Sequence, residues 1–141
     1  MIKTTIGDIM TEHVVKISDN AKIMHAAHIL LRFRINGVLI VSSKNANEIK
    51  GVVTTTDLLK VLDECLHEKD NWEEKLETIS LKPVTAIASH SVVSVQKTDG
   101  ILVALDLMHK KRIHTIPVYD GDKLVGIVGR HDIINIAFYV S

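Results

Sequence analysis

Gly51-Val52-Val53-Thr54-Thr55-Thr56-Asp57 decides the fold, because it recurs as Gly126-Ile127-Val128-Gly129-Arg130-His131-Asp132. Each copy runs an apolar, β-branched strand into a turn that closes on a carboxylate. Asp at that point suits the start of a helix, where short side-chain oxygens accept the unpaired N–H groups of the first turn. Two copies of one strand-turn-helix in 141 residues point to an internal repeat.

Working outward, the repeat extends well beyond the turns. A shift of 78 lays residues 14–41 on residues 92–119 without a gap. Val14/Val92, Val15/Val93, Ile23/Ile101, Ala26/Ala104, Arg34/Arg112 and Ile35/Ile113 are identical. Ile17/Val95, Leu30/Met108 and Val38/Ile116 exchange like for like. Beyond that the offset falls to 75, which sets Gly51 on Gly126 and Asp57 on Asp132. The three extra residues of the first repeat fall in the polar loop 42–48, where insertions are cheapest.

The expected elements follow from periodicity. Residues 5–11 form a short helical or irregular lead-in, and 14–17 a strand. Ser18-Asp19-Asn20 supplies cap chemistry for a helix over 21–34, whose apolar residues recur at helical spacing. Asn36-Gly37 is expected to break it before a buried strand at 38–41, a strand at 49–53 and a helix over 57–67. The second half repeats this order, so each repeat reads β-α-β-β-α. The expected boundaries are repeat one over 1–67, a charged connector over 68–82 and repeat two over 83–141. A unit of about 60 residues buries only roughly 60% of its unfolded surface and is marginal alone. The two are therefore expected to pack sheet to sheet with pseudo-twofold symmetry, in the α/β (α+β) class. Trp72 is expected to close the connector onto the core.

Composition narrows the function. Seventeen basic residues balance seventeen acidic ones, which argues against nucleic-acid or anionic-membrane partners. Cys65 is the single cysteine, so neither an internal disulfide nor a thiolate metal cluster is available. Residues 1–10 do not read as a signal peptide, and no apolar run approaches the roughly 20 residues of a membrane span. A soluble, cytoplasmic protein is expected.

Taken together, Ile6-Gly7-Asp8-Ile9-Met10-Thr11, residues 23–30, Arg112-Ile113-His114-Thr115-Ile116-Pro117-Val118 and the two Gly-to-Asp turns resemble a CBS-domain pair, or Bateman module. The resemblance covers nearly the whole chain and implies a regulatory module, not an enzyme. The implied ligands are AMP, ADP, ATP or S-adenosylmethionine, bound in a cleft between the repeats, with no required cofactor. It implies one pocket built from Thr54, Thr56 and Asp57 with Val92, Val93, Ile113, His114, Thr115 and Pro117. The second would combine Asp132 and Arg130 with Val14, Val15, Ile35, Asn36 and Gly37. His114 and His131 would add charge-assisted bonds when protonated. Independently, a carboxylate matches a ribose diol, and a helix N-terminus suits phosphate. Gly129 stands where the family carries Ser or Thr, so the Asp57 pocket is expected to be the stronger.

Bland readings compete with several of these. Asp57, Asp132 and Thr54 are good helix caps in any protein. His25 and His28 lack an acidic or cysteine partner and read as solvated histidines, not metal ligands. His131 beside Asp132 lacks a nucleophile motif, so catalysis is not expected. Met24, Ala27 and Leu31, with Leu102, Leu105 and His109, form a second apolar stripe, which predicts a homodimer that Ile133, Ile136, Ala137 and Phe138 would extend. Output would then pass to a separate effector protein. The competing function is a dimerisation scaffold without a ligand.

Overall fold

A computed structural model describes residues 4–68 and 70–138. Its first half runs α1 (Ile6–Ile9), β1 (Lys16–Ser18), α2 (Ile23–Phe33), β2 (Gly37–Val41), β3 (Ile49–Thr54) and α3 (Thr55–Leu66). After α4 (Trp72–Ser80) and a 3-10 turn (Val84–Ala86) come β4 (Val95–Gln96), α5 (Ile101–Lys111), β5 (Thr115–Asp120), β6 (Lys123–Gly129) and α6 (Arg130–Phe138). The class is mixed α/β, as expected. Two sheets, ordered β1-β2-β3 and β4-β5-β6, each join a parallel first pair to an antiparallel second pair.

Contacts divide the chain into two units. Val15–Val92 form one, and the segment ending at Val14 joins the segment starting at Val93 in the other. Each unit fills its core with the same positions. Ile17, Ala26, Val38, Ile40 and Val53 in the first answer Val95, Ala104, Ile116, Val118 and Val128 in the second. Each core is completed by a residue from the segment leading into the opposite repeat. Ile6 of α1 is fully buried with Val95 and Val128, and Val84 is fully buried with Ile17 and Val53.

The same segments run on as partners for the sheet edges. Thr11 and Ile127 exchange two backbone hydrogen bonds at 2.8 and 2.9 Å, and Val52 and Ser89 exchange two at 2.9 Å. Two glycines let these crossings lie flush. A β-carbon on Gly51 would stand 2.8 Å from the Ser89 carbonyl, and one on Gly126 would stand 2.7 Å from the Met10 sulfur. In both sheets a β-bulge immediately precedes that glycine, leaving Lys50 and Val125 without a direct partner. Bulges bend a strand and increase its twist, which turns each strand beneath its crossing segment.

Several boundaries differ from the sequence reading, each for a local reason. Helix α2 starts at Ile23 after Lys22, so Ser18-Asp19-Asn20 does not cap it. Those side chains are used in the preceding turn: Ser18 Oγ accepts from the Asn20 amide at 3.4 Å, and Asp19 Oδ1 from the Ser43 amide at 3.2 Å. The helix ends before Asn36-Gly37, at Arg34, which adopts a left-handed conformation (φ 52°), as does Arg112 (φ 54°). Strand β4 is one residue shorter than β1 because Pro117, opposite the lost position, has no N–H to donate. Trp72 opens α4 at 37% exposure and so does not close into a core. Ile133 packs in the core, and the outward-facing apolar residue beside it is Ile134.

Truncating Ile6 tests how much the crossing segment contributes. Ile6→Ala should lower the free energy of unfolding by about 2–4 kcal/mol, as for other fully buried aliphatic truncations. Urea denaturation measures this directly; a loss below about 0.5 kcal/mol would mean that α1 is not part of the core.

Candidate ligand-binding site

Each sheet delivers its last strand into a helix through the turn that opened the sequence reading. In the first unit Thr54 leaves β3 extended and caps α3. Its amide donates to Asp57 Oδ2 at 2.8 Å and its hydroxyl donates to the same oxygen at 3.1 Å. The Asp57 amide returns a bond to Thr54 Oγ1 at 3.4 Å, which completes a capping box. In the second unit the Gly129 amide donates to Asp132 Oδ2 at 2.7 Å. Glycine has no hydroxyl, so this turn keeps only the backbone half of the arrangement. Both carboxylates are half-buried.

Antiparallel pairing brings the start of the middle strand beside each turn. Gly37 pairs with Thr54 in the first sheet, and Thr115 pairs with Gly129 in the second. The Thr55 amide donates to the Asn36 carbonyl at 2.9 Å, and the Arg130 amide donates to the His114 carbonyl at 3.1 Å. The expected phosphate cradle at these helix starts is therefore already partly used. The Thr55, Asp57 and Arg130 amides are bonded within the protein.

The expected residues divide between the units. Thr54, Thr56, Asp57, Val92, Val15, Ile35, Asn36 and Gly37 lie in one; Val14, Val93, Ile113, His114, Thr115, Pro117, Arg130, His131 and Asp132 lie in the other. Within each unit the structure joins residues assigned to different pockets: Thr54 with Asn36 and Gly37, and Arg130 and Asp132 with His114 and Thr115. Thr56, His114, Thr115, Arg130 and His131 are exposed, while Ile35 and Ile113 are half-buried against their cores. Val14, Val15, Val92 and Val93 precede β1 and β4 and do not lie in them, and all four are half-buried. Pro117 is fully buried. Sequence reasoning missed the Asn36 and His114 carbonyls as turn partners. Their role comes from strand register, for which no residue type is a signal.

A duplicated β-α-β-β-α unit, each copy ending in a carboxylate-closed turn, defines a tandem module. The chain belongs to the CBS domain family, whose model matches residues 6–64 and 84–139. It is 32% identical over 136 residues to the uncharacterized protein MJ1404 of Methanocaldococcus jannaschii, covering 95% of this chain and 32% of that one. The chain spans about a third or less of the first curated relatives it matches. Among solved structures it is similar to the CBS domain pair of protein MJ0100 in complex with 5′-methylthioadenosine and S-adenosyl-L-methionine. The two are 25% identical with a TM-score of 0.77, over 98% of each chain. It is also similar to CBSX2 in complex with AMP, at 25% identity and a TM-score of 0.75, covering 97% of this chain and 98% of that one.

The unequal bonding of the two carboxylates has a consequence for stability. Asp57→Ala removes two bonds to the carboxylate and Asp132→Ala removes one, so the losses should be about 1–2 and about 0.5–1 kcal/mol. Equal losses in urea denaturation, or a larger loss at Asp132, would contradict this account of the turns.

Proposed function

We propose that this chain is a non-enzymatic regulatory module that binds adenosine-containing ligands at the turns ending on Asp57 and Asp132. The observation that carries the reading is the pair of half-buried carboxylates, each with oxygen acceptors that no other described residue uses. They stand in a CBS-pair fold whose relatives at 25% identity were solved with AMP, 5′-methylthioadenosine and S-adenosylmethionine. A ribose diol donates two hydrogen bonds, and a carboxylate accepts them in charge-assisted form. Thr56, His114, Thr115, Arg130 and His131 would contact the ligand from the same turns, with Ile35 and Ile113 as apolar walls. The balanced charge favours a small molecule over nucleic acid or a membrane surface.

In this reading ligand binding alters the geometry of a homodimer and so signals to a separate effector protein. The support for self-association is the apolar surface left outside the cores. Leu31, Leu102 and Leu105 are 75%, 56% and 46% exposed. That surface also favours a second reading, a dimerisation scaffold without a ligand.

Calorimetric titration of ligand-stripped protein with AMP, ADP, ATP and S-adenosylmethionine separates the two. The sensor reading expects saturable binding of at least one, abolished by combining Asp57→Asn with Asp132→Asn. Stable dimers in sedimentation with no binding of any of the four would leave only the scaffold.

A further inference from the structure

We infer that the hydroxyl missing at Gly129 makes Asp132, and not Asp57, the stronger acceptor for a vicinal diol, so that the second unit's turn is the tighter ribose site. The inference rests on the adenosine-ligand reading and reverses the ranking expected from hydroxyl count. A carboxylate holds a vicinal diol best when each of its oxygens takes one hydroxyl, and each oxygen offers two lone pairs. Asp57 Oδ2 already accepts from the Thr54 amide at 2.8 Å and the Thr54 hydroxyl at 3.1 Å, so both of its lone pairs are used. Only Oδ1 remains, and one oxygen must then serve both ligand hydroxyls. Among the described residues Asp132 Oδ2 accepts a single bond, from the Gly129 amide at 2.7 Å. It keeps one lone pair beside a fully available Oδ1, so the carboxylate can take a diol across both oxygens.

Thr54 and Gly129 are thus specificity-determining residues. In the first unit the protein's own hydroxyl competes with the ligand's, and in the second it does not. Space is consistent with this at Gly129. An added β-carbon would stand 3.6 Å from Asp132 Oδ2 and 3.6 Å from the His114 carbonyl, in ordinary van der Waals contact. Gly129 also lies outside the left-handed region, so a β-branched residue is tolerated there. Gly129→Thr therefore rebuilds the first unit's arrangement in the second, and Thr54→Val removes the competing hydroxyl while keeping its shape.

The test is calorimetric titration of the full chain with AMP and 2′-deoxy-AMP, with thermal melts confirming that each variant folds. Gly129→Thr should weaken the tighter AMP event by about tenfold, the equivalent of one charge-assisted hydrogen bond, and leave 2′-deoxy-AMP nearly unchanged. Asp132→Asn should remove that event, Asp57→Asn should spare it, and Thr54→Val should tighten the weaker one. If the tighter event is lost in Asp57→Asn and survives Asp132→Asn, or if Gly129→Thr leaves AMP affinity unaltered, the inference fails while the adenosine reading stands. Absence of binding of AMP, ADP, ATP and S-adenosylmethionine alike in the unaltered chain overturns both.

Discussion

The rest of the structure depends on two places where one backbone lies flush against another. At Gly51 the segment through Ser89 pairs with Val52, and at Gly126 the segment through Thr11 pairs with Ile127. Any side chain at either glycine would collide with backbone or with the Met10 sulfur at under 3 Å. The crossings satisfy backbone groups on an edge that would otherwise be unpaired. They also bring Ile6 and Val84 into cores that lack an equivalent residue of their own. Neither repeat, cut at its sequence boundary, contains all the residues that fill its core.

From the crossing, geometry passes directly to the candidate site. The bulge before each glycine and the crossing above it set the direction of the last strand. Three residues later that strand ends at Thr54 or Gly129, where the helix begins. The residue just before the neighbouring strand, Asn36 or His114, supplies a carbonyl that ties down the first helical amide. What differs between the copies is one hydroxyl. Thr54 gives its hydroxyl to Asp57, a more complete cap with less acceptor capacity to spare, and Gly129 does the reverse. Stability of the turn and availability of the carboxylate therefore trade against each other at one position.

Much of this was legible in the sequence because side-chain periodicity and strand alternation are local. The 78-residue offset aligned Val38 with Ile116 and Ala26 with Ala104, and both pairs are buried in matching cores. The misses are places where a side chain had a non-local alternative. Asp19 reads as a helix cap, but its carboxylate is used by the amide of Ser43, which no local pattern reveals. Ile133 shares its apolar character with Ile134, and only the rotation of α6 against its sheet decides which is buried. At Gly129 residue type shows only that a hydroxyl is absent; the bond from its amide to Asp132 Oδ2 is a matter of turn geometry that no residue type signals.

The central claim is that adenosine ligands bind at the two carboxylate turns. Amide chemical-shift mapping of isotope-labelled protein during titration with AMP and with S-adenosylmethionine tests it most directly. The account predicts saturable shifts centred on residues 129–132 and 54–57, with the first group moving at lower ligand concentration. Saturating ligand that leaves both groups unmoved, or that perturbs only residues elsewhere, would contradict it.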